Sequence, residues 1–187
     1  MRCVDAIRPM ECIFTDGYEN DCNDNIRFRE LPAGDISSLD GLRRMLSEHL
    51  GQSPCFMYSS EEEYISWLKR ASQRDSRLFT ASENDKIIAF TEITSDGENF
   101  ATEASDMLNI CGAYCLPEYR GKGIFQRLLD FTITKLKSEG YVRLGVDYES
   151  INPTANAFWS KYFTPYTYSV TRRIDEGVLR KYGRSII

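Results

Sequence analysis

The chain has 187 residues, which suits one domain with a full hydrophobic core. A hydrophobic fraction of 42% and an aromatic fraction of 12% argue against disorder, and a net charge of −5 argues against wholesale binding to nucleic acid or anionic membrane. No apolar run approaches the ~18 residues of a membrane span, and the start "MRCVDAIRPMECIFTDGYEND" has no continuous apolar segment of the secretory kind, so the reading is cytoplasmic.

Residues 1–24 carry no clear period and read as a loose arm ahead of a single domain over 25–187. "NIRFREL" alternates and reads as a strand. In "DISSLDGLRRMLSEHL", Ile36, Leu39, Leu42, Leu46 and Leu50 recur at helical spacing, with Asp35 or Ser37 as cap and Gly51 as stop. "SSEEEYISWLKRASQRD" opens on a serine cap with acids in the first turn, and Tyr64, Trp67 and Leu68 form its apolar stripe. "RLFTASE" and "KIIAFTEITS" form a hairpin across a short polar turn, and "GENFATEASD" is a polar loop. "MLNICGAYCL" is apolar on nearly both faces and belongs mid-sheet. A helix with Phe125, Leu129, Ile133 and Leu136 on one face runs to Gly140. "YVRLGVDYE" is a strand, "NPTANAFWSKYF" a short helix with an Asn cap and an early Pro, and "YTYSVTRRI" a last strand. The tail "DEGVLRKYGRSII" reads as a helical turn. This order gives an α/β (α+β) layered fold, with a parallel crossover from 107 to 148.

The segment "PEYRGKG" lies between a strand and a helix, where a tight turn would need only one glycine. It does not supply a Walker loop, and Gln126 stands where a dinucleotide turn needs its third glycine. It does offer backbone amides from about Gly121 to Gln126 at a helix N-terminus, with Arg120, Lys122 and Arg127 adding positive charge. A pyrophosphate is the natural guest.

"CLPEYRGKGIFQRLL" resembles the acyl-coenzyme A loop of the GNAT acetyltransferase superfamily, whose pattern is [QR]xxGx[GA]. Arg120 and Gly123 match, while Phe125 departs from the final small residue. A second signature, Asn152, Ala155, Phe158, Trp159 and Phe163, follows about thirty residues later. Together the matches cover roughly residues 77–172. The resemblance implies a mixed, mostly antiparallel sheet of about six or seven strands with helices on both faces, its fourth and fifth strands splayed into a V. It implies acetyl-CoA as co-substrate and no metal. Pantetheine would lie along Ala113, Tyr114 and Cys115, the pyrophosphate along Arg120, Gly121, Lys122, Gly123, Ile124, Phe125 and Gln126, and Asn152 would contact the pantetheine arm, cap its helix, or both.

The implied reaction is direct attack of a primary amine, on a small molecule or peptide, on the acetyl thioester. Asp147 stands where some members carry a carboxylate base; substrate orientation and a purely structural carboxylate are its other readings. Glu149 follows on the same strand face. The usual acid is a tyrosine seven residues after the asparagine, and here that position is Trp159. Tyr162, one turn on, and Tyr114 are the substitutes, with packing as the plainer role of Tyr162. A non-catalytic acyl-CoA-binding sensor or interaction module is the alternative function. Such proteins often form homodimers, and nothing in the sequence decides this one. The six cysteines include no CxxC, and the single histidine, His49, lies at a helix end, so zinc and thiol–imidazole sites find no support. Cys111 and Cys115 read as small core residues rather than as acetyl carriers.

Overall fold

The computed structural model describes residues 2–14, 25–32, 35–52, 54–97 and 104–170. Among them the element order is β1 (Arg2–Pro9), β2 (Ile26–Glu30), α1 (Asp40–Gly51), α2 (Glu61–Ala71), β3 (Ser76–Glu83), β4 (Lys86–Thr94), β5 (Met107–Cys115), α3 (Ile124–Ser138), β6 (Arg143–Glu149), α4 (Pro153–Tyr162) and β7 (Thr164–Val170). The strands form one mixed sheet in the order β2-β3-β4-β5-β6-β1-β7. Every pairing is antiparallel except β5 with β6. The expected mixed, mostly antiparallel sheet is present, and "MLNICGAYCL" is its central strand.

Local chemistry explains several of these elements. The β3–β4 hairpin turns through Asn84 and Asp85, both left-handed at φ 49 and 65, a conformation these two residue types tolerate. Helix α2 begins with a capping box in which Ser60 Oγ accepts from the Glu63 amide and Glu63 Oε2 accepts from the Ser60 amide. Helix α1 differs from expectation. A 3₁₀ turn over Ser37–Leu39 precedes it, and its N-cap is Leu39, which supplies no side-chain bond; Asp35 and Ser37 are not its caps. Helix α3 stops just before Gly140, whose φ of 98 suits glycine.

The loose arm expected over residues 1–24 needs correction at its beginning. Arg2–Pro9 is a strand held between β6 and β7, with Val4 1% and Ala6 0% exposed. The strand is hard to see in the sequence because it is covered on both faces and Asp5, a polar residue by type, is itself buried between them. The strand is therefore part of the sheet, not an appendage to it. After it, the Ile13 and Phe14 amides donate to the Asp130 carboxylate on α3. Residues 15–24 and 171–187, which include the end of the expected last strand and the expected helical tail, and most of the loop at 97–106, lie outside the described residues.

Helix α3 packs against β3 and β4, α4 against β6 and β1, and α1 against β5. Ile124, Leu128, Leu129, Ile133 and Leu136 line the buried side of α3. No helix of the described residues is long and apolar enough to cross a membrane.

Candidate functional site

The expected fourth and fifth strands are β5 and β6, because the N-terminal strand takes the first number. Their pairing runs only from Met107↔Arg143 to Ile110↔Val146. Cys111 on β5 and Asp147 on β6 are the first residues past the last pair. Cys111 is also the extra residue of a β-bulge, since Glu92↔Gly112 is followed directly by Ile93↔Ile110. A bulge turns the strand out of register, and the two strands part there.

A cavity of about 410 Å³ opens beyond that point, within the size range of small-molecule sites. Ala113, Tyr114 and Cys115 of β5 form one wall; Asn152, Ala155, Phe158, Trp159 and Tyr162 form another. Arg120, Gly121, Phe125 and Gln126 close its end, and Leu46 and His49 of α1 lie across it. Eight of the eleven expected cofactor residues are thus brought to one cavity. Lys122, Gly123 and Ile124 do not line it. Lys122 Nζ lies 5.3 Å from the Tyr119 ring centre, and Ile124 is a core side chain at 5% exposure.

The two glycines have a conformational reason. Gly121 and Gly123 sit at φ 73 and 75, and Gly123 is the N-cap of α3. A Cβ at either would meet nothing within 4 Å, so the space beside the loop is open. The first intrahelical bond is donated by the Arg127 amide to Gly123. Helix geometry leaves the amides of Ile124, Phe125 and Gln126 without an intrahelical acceptor, at the positive end of the helix dipole. Arg120 is tied back to the strand: its Nε donates to the Cys115 carbonyl at 2.9 Å, and its guanidinium lies 5.3 Å from the Tyr114 ring centre.

Asn152 lines the cavity and caps α4, its Oδ1 accepting from the Ala155 amide at 3.3 Å. Phe125 packs edge-on against Phe158 and Trp159, at 5.2 and 5.9 Å between ring centres. Tyr162 lies on the cavity wall against Phe158, and its carbonyl accepts from Arg8 Nη1 at 3.4 Å.

Asp147 and Glu149 are not part of the cavity lining. Both lie on β6 past the splay point, Asp147 opposite Asp5 and Glu149 opposite Cys3 on β1. Burial, aided by the nearby Glu92 and Asp147 carboxylates, pushes the Cys111 thiol up to about 12. Burial pushes Cys115 up to about 11. Neither is a thiolate at neutral pH, so neither is equipped as an acetyl carrier.

The sequence reading missed the α1 wall and the charged group beneath the bulge. Leu46 was legible as an apolar stripe residue, but nothing local marks it as facing a cavity. His49, at the end of α1 as its sequence position suggests, is half-buried on the cavity wall. Arg43 and Glu92, 1% and 3% exposed, form a buried ion pair at 2.8 Å. Their separation of 49 residues leaves no sequence signal for the pairing.

A family model described as the Acetyltransferase (GNAT) family matches residues 43–163. No curated protein matches the chain. Among solved structures, an aminoglycoside acetyltransferase from an uncultured soil metagenomic sample, in complex with sisomicin, superposes with a TM-score of 0.57 at 15% identity, covering 80% of this chain and 94% of that one. The PaiA N-acetyltransferase of Thermoplasma acidophilum, in complex with coenzyme A, superposes at 0.53 and 21% identity, covering 73% and 87%. A conserved protein of unknown function from Staphylococcus epidermidis gives 0.58 at 8% identity; the match takes in 89% of this chain but only 58% of that one. At these identities the likeness is one of fold.

Proposed function

This chain belongs to the GNAT acetyltransferase family, and we propose that it is an N-acetyltransferase that moves an acetyl group from acetyl-CoA to a primary amine of a small molecule or peptide by direct attack. The observation that carries the reading is the cavity along the stretch of β5 past its last pair with β6, walled on its other side by α4 and ending at the glycine-flanked N-terminus of α3. The open space beside Gly121 and Gly123 and the amides of the first helical turn fit a pyrophosphate. Ala113 to Cys115 supply a strand edge for the pantetheine amides. The neighbours solved with coenzyme A and with an aminoglycoside support this class of donor and acceptor by analogy of fold.

Acetyl-CoA supplies the activated acyl group as a thioester. The chain's part begins with the acceptor, whose ammonium has an ordinary pKa of about 10 and must lose a proton first. Our candidates to take that proton are Asp147, the first β6 residue past the last pair with β5, and Glu149, next along the same face; neither lines the cavity. The nitrogen then bonds to the acetyl carbon and the carbon–sulfur bond breaks. A backbone N–H on the freed stretch of β5 steadies the carbonyl oxygen as it gains charge. The sulfur keeps the bonding pair and takes a proton from Tyr162 or from solvent. The other charge relations fit a small acceptor: the net charge of −5 favours no polyanion.

Trp159 favours a second reading, a non-catalytic acyl-CoA-binding module, because indole donates no useful proton. One assay separates the two. Purified full-length protein is incubated with acetyl-CoA and a panel of primary amines, and free thiol and acetylated amine are measured together. Stoichiometric appearance of both is expected. Tight coenzyme A binding with no transfer to any amine would leave the binding module standing.

A further inference from the structure

Among the described residues no carboxylate lines the cavity, and Arg120 and Lys161 give its wall positive charge. His49 is the other side chain on that wall able to add to it, because imidazole is the group that changes charge between about pH 5 and 8. Burial pushes Tyr114 up and Cys115 up to about 11, and a bond to Glu83 Oε2 at 2.6 Å raises Tyr119, so none of these three titrates in that range.

The place of His49 along the cavity decides what it can do there. Arg43, two turns earlier on α1, is paired at 2.8 Å with Glu92, which stands opposite Gly112 at the bulge. Leu46 and His49 both line the cavity, and at 1.5 Å of rise per residue they lie about 4.5 and 9 Å further along the helix axis. Glu48, next to His49, acts electrostatically on the Tyr114 hydroxyl, and the Arg120 guanidinium lies 5.3 Å from the centre of the same ring. Arg120 begins the loop that leads into α3. His49 therefore stands toward the phosphate loop and away from the bulge where β5 and β6 part. With the donor's phosphates at the α3 end, its thioester lies at the other, so this imidazole is not placed to take the acceptor's proton.

Resting on the reading of this cavity as the acyl-CoA site, we propose that His49 is a further donor-binding residue: as imidazolium it meets the donor's pyrophosphate from α1, opposite the amides that start α3, so that donor binding takes up a proton. The pyrophosphate is then held from two sides, by backbone N–H groups at one and by a side-chain cation at the other. Neutral imidazole lacks the charge, so affinity weakens as pH rises. Besides the groups already named, Tyr162 on α4 and Tyr58, which lies against Gly51 at the end of α1, complete the titratable surroundings.

The probe is dephospho-CoA, which keeps the pyrophosphate and lacks the 3′-monoester, a group that itself titrates near about pH 6. Titration calorimetry in buffers of different ionisation enthalpy reads the proton uptake directly. The unaltered protein should take up a fraction of a proton at about pH 7, and Kd should rise roughly 10-fold between about pH 5.5 and about pH 8.5, the lower end for a hydrogen bond to a charged group. In His49→Gln the uptake should vanish and Kd should stay near its high-pH value throughout. His49→Arg keeps a permanent charge; it should also show no uptake but bind tightly across the whole range, a rescue that a packing role would not give. Absence of uptake in the unaltered protein, or uptake that persists in His49→Gln, would overturn the inference and leave the donor reading standing. Should His49→Gln fail to fold, His49→Arg decides alone, and uptake that persists there overturns the inference. If coenzyme A binds but dephospho-CoA does not, the difference in uptake of coenzyme A between the unaltered protein and His49→Gln decides, and no difference overturns it. If neither binds at any pH, both readings fall.

Discussion

Removing residues 1–9 should abolish the fold. β1 meets β6 in register from Cys3↔Glu149 to Pro9↔Arg143, and β7 from Arg2↔Val170 to Ile7↔Thr164. Deleting it takes the buried Val4 and Ala6 side chains from the core, about 2–4 kcal/mol together. It also removes the backbone bonds on both sides of the strand, each worth about 1 kcal/mol net, and leaves β6 with an exposed edge where it had a partner. The total reaches the 5–15 kcal/mol that holds a domain of this size. A gentler probe is Val4→Ala, which should cost about 2 kcal/mol and lower Tm by roughly 4–8 °C. Thermal and urea unfolding of both proteins, followed by circular dichroism, measures the effect. A protein lacking residues 1–9 that unfolds cooperatively at the unaltered midpoint would refute the reasoning and return this segment to the status of an arm.

Gly123→Ala forces a side chain into a φ of 75 and should cost about 1–2 kcal/mol at the start of α3; coenzyme A affinity by calorimetry should fall by about tenfold, whereas unchanged affinity would place the pyrophosphate elsewhere. Tyr162→Phe removes only a hydroxyl on the cavity wall; turnover should drop by roughly 10²-fold at unchanged coenzyme A affinity if this group delivers the proton, and an unaffected rate would assign that proton to solvent. The bond from Arg77 to Glu139 holds the Glu139 carboxyl below its usual range. Its contribution to stability is present above the unfolded carboxylate pKa of about 4.3 and is lost as pH falls through the lower folded value. Urea midpoints from pH 7 to pH 3 should therefore decline less steeply on the acid side in Arg77→Met, and identical slopes would show the pair contributes nothing.

What the sequence disclosed follows from how local each signal is. The helix over 124–138, its glycine-flanked start and the asparagine cap of α4 are decided within a few residues, by φ preferences and short hydrogen bonds, and they stand where the pattern put them. The central place of β5 was legible because a strand covered on both faces has no polar alternation. β1 obeys the same rule but escaped notice, since Asp5 sits inside an eight-residue strand and imitates a polar face. Its partners, residues 143–149 and 164–170, lie far along the chain, and no local period records such a pairing. The Arg43–Glu92 pair was illegible for the same reason. The assignment of Lys122, Gly123 and Ile124 follows from the loop as a whole, but this consecutive run makes the turn into α3, and only its flanks, Arg120–Gly121 and Phe125–Gln126, line the cavity.

Phe125 and Trp159, the two positions that depart from the family's pattern, are in contact, so they are best understood as one departure. Their rings meet edge-on at 5.9 Å, and both touch Phe158. Trp159 is also edge-on to Phe163 at 5.3 Å, which ties the group to the core. A small residue at 125 would leave the indole edge facing a void at the cavity end, where each missing contact lowers packing energy. A tyrosine at 159 would set a hydroxyl beside the Phe125 ring, with no acceptor on that ring to satisfy it. Each unusual residue therefore makes the other tolerable. The aromatic wall narrows the end of the cavity next to the pyrophosphate loop while the proton donor is lost from its usual place. On the transferase reading, the side chains left to supply that proton are Tyr162, one turn on along α4, and Tyr114 on β5, both on the cavity wall, with solvent as the third source.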